Sequence, residues 1–417
     1  MHPGVLALFV LAQGCVSGEP RPPAPGVAAP PDPAVPDPAP PVVRARPALE
    51  PAPANVAPAP PPPALGDYDT LFDPAILQEI RLTIAPEDID ALDAHGRTWV
   101  PARFEHAGNV LEVGVRLKGS TTYQDFSGKP AFRVKFNEMV PRQKYATLKR
   151  LALNNLTSDP AQGREVAALY AWGAAGMVVP RAALATVYVN DEYFGLYAAV
   201  EGMDGEFLER RYVDAGGVFW EANNDADLTP SGIAHFDLNS GADPERATLA
   251  HAAAVLDDTA TDLLGPAATV IDVDQYLDFL AWAAATGWSD GYPSHLNDYF
   301  LYADPADGGR FDFAPWGLDE AWSDTWRFDY GGSVLGWRCA NDPACGDVLR
   351  VHTAAVLATY ETLDVGGFAE ALFQLSDEAM ADDPRAGFDI GAVRAARAGL
   401  VDAMAGWPAK VREEMGL

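Results

Sequence analysis

Nineteen of the chain's 36 prolines fall between residues 20 and 65, where they alternate with alanine in runs such as ALEPAPANVAPAPPPPAL. Proline fixes φ and lacks a backbone donor, and so little apolar side chain cannot offset the entropy of ordering. This stretch is therefore an extended, semi-rigid spacer, and the packed part of the chain must begin near Asp67. A Pro-rich ligand for a partner domain is the other use of such a sequence.

The spacer follows MHPGVLALFVLAQGC, an apolar start ending on small residues and Cys15. It reads as a bacterial lipoprotein signal with Cys15 as the lipidated residue, against a chance apolar start with an ordinary cysteine. Lys or Arg is missing before Val5, and Ala12-Gln13-Gly14 is a loose lipobox. A signal over 1–15, a disordered linker over 16–66 and an exported domain over 67–417 follow. The implied location is extracytoplasmic, on a bacterial envelope, with membrane contact only through the lipid.

Hydrophobic content of 48% over the 417 residues supports a sizeable core. A net charge of −30 excludes a phosphate-tracking nucleic-acid binder. No run of eighteen apolar residues offers a membrane span.

Segments 76–84, 110–118 and 131–137 alternate as strands, and 86–96 reads as a helix with Pro86 in its first turn. Asp159-Pro-Ala-Gln162 looks like a helix start running to Trp172, with Asp159 as cap. Segments 183–189 and 193–201 form a hairpin around Asn190-Asp191-Glu192, and a second hairpin turns at 305–309. Helices are expected over 204–213, 246–264, 273–288, 366–376 and 389–415. This order predicts a two-lobed α+β protein, its strand-rich lobe over about 67–201 and its helical lobe over about 202–417.

Cys339 and Cys345 bracket the polar segment CANDPAC, expected as a loop closed by a local disulfide; too few further ligands lie nearby for zinc. His106, His235, His251 and His352 read as surface or packing residues. Asn223-Asn224-Asp225-Ala226-Asp227 lacks the glycine and terminal Glu of an EF-hand loop and reads as a polar turn.

The concentrated chemistry lies in WSDGYPSHLNDYFLYADPADGGRFDFAPWGLDEAW, residues 288–322. A loop Asp290, then Asn297, then Asp319 after a hairpin is an order that phosphoryl transfer uses. One carboxylate serves the hydroxyl, while Asn and the second Asp hold Mg²⁺ on nucleotide phosphates. Turn formers and caps are the bland reading. Lys118, Lys129 and Lys135 surround a Gly-containing turn, and Glu165 on the next helix could pair with one of them; solvated strand faces are the alternative.

These pieces together resemble the spore coat protein H (CotH) kinase family. The resembling strings are VRLKGST (115–121), KPAFRVKF (129–136), LALNN (151–155) with DP and REVA following, VYVNDEYFGLYAAVE (187–201), LNDYFLY (296–302) and PWGLD (315–319). The resemblance implies an atypical protein-kinase-like fold that uses ATP with Mg²⁺ or Mn²⁺ to phosphorylate Ser or Thr of secreted or surface proteins. By position, Asp290 matches the catalytic-loop Asp, with Asn297 after it. Asp319 matches the metal Asp, and Glu201 sits at the hinge. The phosphate lysine stays open among Lys118, Lys129 and Lys135.

Two departures stand out. Glu221 replaces a usual Lys, and Gly317 replaces the first Asp of PWDLD. Both motivate a rival reading, a catalytically weak or inactive surface protein acting in adhesion or envelope assembly.

Overall fold

The computed structural model describes residues 66–257, 263–323 and 332–417. The expected signal, Cys15 and nearly all of the spacer lie outside them.

Seven strands close into a barrel in the order β1-β2-β3-β4-β5-β7-β6. They are β1 (Gln78–Thr83), β2 (Val100–His106), β3 (Asn109–Lys118), β4 (Ala131–Lys135), β5 (Arg150–Asn154), β6 (Ala182–Val189) and β7 (Glu192–Glu201). Neighbours are antiparallel except at the closure, where β1 runs parallel to β6. Alternate residues, among them Ile80, Phe104, Val113, Val115, Phe132, Val134 and Val187, fill the interior as a single apolar cluster. The alternation visible in β1, β3 and β4 is this inside–outside pattern. Strands β5 and β7 also bury their outer faces, where Ala152, Leu196, Ala198 and Val200 join a second, larger core. Their sequences are therefore nearly continuous apolar runs.

Helix α1 (Tyr68–Leu71) precedes the barrel and α2 (Pro86–Ala94) follows β1. Helix α3 (Arg164–Ala174) begins five residues after Asp159, not at it. Asp159 still caps, but caps a turn. Its carboxylate accepts from the backbone N–H groups of Ala161, Gly163 and Arg164 at 2.6–2.9 Å.

The rest is mainly helical. Helices α4 (Gly205–Arg211), α5 (Ala247–Leu256), α6 (Leu264–Ala267), α7 (Val273–Ala285), α8 (Tyr292–His295), α9 (Val334–Asn341), α10 (Pro343–Thr362), α11 (Val365–Ala381) and α12 (Ile390–Met415) surround a four-stranded sheet. That sheet has the order β11-β10-β8-β9, from β8 (Val218–Ala222), β9 (Phe236–Ser240), β10 (Tyr299–Asp304) and β11 (Arg310–Pro315). The fold is α+β, strand-rich first and helix-rich afterwards.

The segment expected as a polar loop around Cys339 is instead the junction of two helices. Asp342 caps α10 by accepting from Ala344 N–H at 3.0 Å, and Pro343 opens it. Cys339 and Cys345 are disulfide-bonded across that junction.

Candidate active site

The barrel and the four-stranded sheet face each other across a cavity of about 570 Å³. On the barrel side, β3 ends at Lys118 and β5 at Asn154, with Glu165 in the first turn of α3. Lys118 Nζ donates to the Asn154 side-chain oxygen, and Asn154 Nδ2 donates to Glu165 Oε2 at 2.7 Å. The lysine and the glutamate are thus linked through an amide. Burial pushes Glu165 up to about 7, with Asp319 adding to the rise, and burial lowers Lys118. The second oxygen of Glu165, Oε1, is buried with no partner.

Asp290 follows α7, and Asn297 and Asp298 precede β10. Asp319 lies just beyond β11. All four line the cavity. Burial raises Asp290, with Glu320 contributing, while the Asn297 side chain bonds to it and acts in the opposite direction. Burial raises Asp298 well above the usual carboxylate range, reinforced by Asp290 and Asp319. Burial likewise raises Asp319 to about 6, opposed by the Ser158 hydroxyl, which donates to it at 2.8 Å. Several carboxyl groups crowded into one cavity around Lys118 resist ionising together. Such a cluster accepts a cation or protons.

Asp298 was not singled out in the sequence. Its neighbour Asn297 drew the metal role, yet Asp298 is the residue whose charge acts on Lys118 and which itself feels the charges of Asp290 and Asp319. Its φ of 54° turns the chain between Asn297 and the start of β10. Gly317 makes the space for it. This glycine has φ +60°, and a Cβ there would lie 2.5 Å from Asp298 Oδ2. The departure expected to remove a carboxylate therefore accommodates one.

Three expected site residues are elsewhere. Lys129 directs its ammonium away from the cavity, into an ion pair with Asp383 at 2.6 Å and a bond to the Leu196 carbonyl at 2.8 Å. Gly195 admits that carboxylate, since a Cβ there would collide with Asp383. Lys135 pairs with Glu138 at 2.5 Å, three residues on. Glu201 is fully buried between Arg210 and Arg211, at 2.5 and 2.6 Å, and ties the end of β7 to α4. Glu221 does line the cavity, as do Arg97 and Arg133 from the barrel. The polar run at 223–227 is a turn whose Asp227 points inward, accepting from the Tyr292 hydroxyl and Val334 N–H.

Among the described residues no three acidic, His or Cys side chains converge as a preformed metal cage. The donor set still fits Mg²⁺, which keeps several waters and uses one or two carboxylates plus substrate phosphates. Asp298 and Asp319 could supply those oxygens, and Lys118 the charge for a phosphate.

The chain matches the CotH kinase protein family over residues 115–350, more than half its length. It is 25% identical over 298 residues to the inner spore coat protein H of Bacillus subtilis (strain 168), covering 66% of this chain and 75% of that protein. Among solved structures, the Helicobacter pylori proinflammatory kinase CtkA aligns over 76% of this chain and 89% of its own, at 9% identity and a TM-score of 0.30. The protein is kinase-like in class. It belongs to the CotH kinase family.

Proposed function

We propose that the chain is an exported phosphotransferase, using a nucleoside triphosphate and Mg²⁺ or Mn²⁺ to phosphorylate Ser or Thr hydroxyls of secreted or surface proteins. ATP is the nucleotide that family membership suggests. The observation carrying this reading is the pairing, across one cavity, of the Lys118–Asn154–Glu165 chain with Asp290, Asp298 and Asp319.

In this reading Glu165 and Asn154 hold Lys118 so that its ammonium meets a phosphate oxygen. A bound Mg²⁺ would neutralise charge on the phosphates as the γ-phosphoryl group leaves. Asp298 and Asp319 would hold it, with the Ser158 hydroxyl fixing the Asp319 rotamer. Asp290, beside Asn297, receives the proton of the attacking hydroxyl, because its raised affinity for a proton suits a base. Lipidation at Cys15 and an extended spacer over 16–66 would hold the domain away from an envelope membrane. No nucleic acid takes part.

Transfer of labelled phosphate to a mixture of envelope proteins tests the assignment. The wild-type chain labels acceptors only with metal present, and Asp319→Asn does not. Equal labelling by the variant would refute it.

A further inference from the structure

Another cavity, of about 450 Å³, shares no lining residue with the one that holds the carboxylates. Its walls include Phe72 and Pro74, just after α1, Leu169, Tyr170 and Ala174 of α3, and Phe368 of α11. The Tyr170 and Phe368 rings stack 3.6 Å apart and nearly parallel, which makes one flat aromatic wall. The Tyr170 hydroxyl makes no hydrogen bond among the described residues. Arg181 and Arg211 also line the cavity, and both already have carboxylate partners, Asp69 and Glu201. The cavity therefore suits an uncharged, apolar occupant that offers a carbonyl to Tyr170.

One such segment belongs to the chain itself. The protein carries a net charge of −30, yet residues 51–66, PAPANVAPAPPPPALG, hold no charged side chain. Aromatic-lined grooves take proline-rich segments of this kind, whose rings are flat and whose carbonyls are unbonded. The segment also ends close to the cavity. A Cβ on Gly66 would meet the Tyr145 ring at 2.5 Å. Tyr145 bonds to His106, His106 to Gln78, and Gln78 donates to the carbonyl of Thr70, two residues before Phe72. The four helical residues of α1, rising about 1.5 Å each, carry the chain most of the way from Gly66 to Phe72. Prolines 60–63 precede Gly66 by three to six residues, and at about 3.1 Å per residue they can turn back over that distance.

We propose that the cavity between α1, α3 and α11 is the docking site for this chain's own prolines 60–63, laid along the Tyr170–Phe368 wall with the Tyr170 hydroxyl donating to one of their carbonyls. A tether of a few residues keeps the segment at high effective concentration. Proline's fixed φ leaves little backbone freedom to lose on docking. The free part of the spacer then ends before Pro60. The covered wall includes the last turns of α3, the helix whose first turn carries Glu165, so spacer and candidate active site bear on one element.

Thermal melting of the full chain tests this. Residues that touch nothing in the folded state are equally free in the unfolded one, so their sequence does not move the melting temperature. Pro60→Ser, Pro61→Ser, Pro62→Ser and Pro63→Ser combined should lower it by on the order of 2 °C. A synthetic peptide of residues 54–66 should restore it, as a ligand of the folded state does. Ala174→Trp, which fills the cavity from the exposed end of α3, should abolish both responses. The serine changes touch none of the packed residues, so a failure to fold does not remove the test. An unchanged melting temperature in the serine variant overturns the proposal. An equal fall with Ala174→Trp in place does so too, because the prolines would then act elsewhere. A wild-type melting temperature that climbs with chain concentration overturns docking within one chain and gives the cavity to the spacer of a second copy. A peptide that raises the melting temperature of the unaltered chain as much as that of the serine variant overturns it in favour of another protein's proline-rich segment.

Discussion

The barrel and the cleft both bury charged side chains, and they do so in opposite ways. On the barrel, Lys129 and Asp383 are 1% and 0% exposed at the side chain and lie 2.6 Å apart. Glu201 is held by two arginines. In the cleft, Glu165, Asp298 and Asp319 gather around one ammonium and hold their protons more tightly than free carboxylates do. Paired burial welds elements together; here Asp383 reaches from just beyond α11 into the barrel wall. Unpaired burial of this kind marks a candidate functional site. Charge alone does not separate the two, and the partner does.

The largest expected effect breaks the paired side. Asp383→Ala strands the Lys129 ammonium and frees the backbone N–H of Leu196, so stability should fall by about 3–5 kcal/mol in urea unfolding. Nucleotide affinity of the folded fraction should not change. On the unpaired side, Asp319→Asn should cut transfer about a hundredfold or more, since charge stabilisation by a held metal is worth several kcal/mol. Its melting temperature should hold or rise, because a carboxylate disfavoured by burial has been removed.

A smaller contrast separates the lysines. Lys118→Ala should weaken nucleotide binding about tenfold or more, the scale of a lost charged hydrogen bond. Lys135→Ala breaks a partly exposed i,i+3 pair and should change stability by no more than about 1 kcal/mol, leaving binding intact.

The pH dependence of stability differs in sign between the regions. Glu165 binds its proton more tightly folded than unfolded, so its contribution to stability is present below about 4.5 and is lost as pH rises to about 7. His106, bonded to Tyr145 and Gln78 inside the barrel, has its affinity lowered by burial. Its contribution is present above about 6.5 and is lost as pH falls further. Melting curves across pH 4–8 should show both, and Glu165→Gln should flatten the first alone.

The same distinction explains what the sequence disclosed. Strands with one wet face, β1, β3 and β4, showed their period directly. The hairpins β6–β7 and β10–β11 were marked by their turn residues. Strands β2, β5, β8 and β9 passed unnoticed; β2 alternates but carries Pro101, which argues against a strand, while in β5 Leu151, Ala152 and Leu153 are all buried, so no alternation exists to find. Helix α10 was hidden because Asp342-Pro343 looks like a turn as readily as a cap. Lys118, Glu165, Asp290 and Asp319 were legible as candidate site residues from motif strings. Lys129 could not be excluded, since its partner Asp383 lies 254 residues away and leaves no local trace. Asp298 was masked by Asn297 beside it, and only the fold brings it within range of the charges of Asp290 and Asp319.

The central claim, that the cleft carboxylates hold a metal–nucleotide complex, is most directly tested by thermal melting of the full chain. A ligand that binds only the folded state must raise the melting temperature. Nucleoside triphosphate and Mg²⁺ together should raise it, neither alone should do so fully, and the rise should vanish in Asp319→Asn. No rise at millimolar concentrations of both, or an undiminished rise in that variant, would contradict the account.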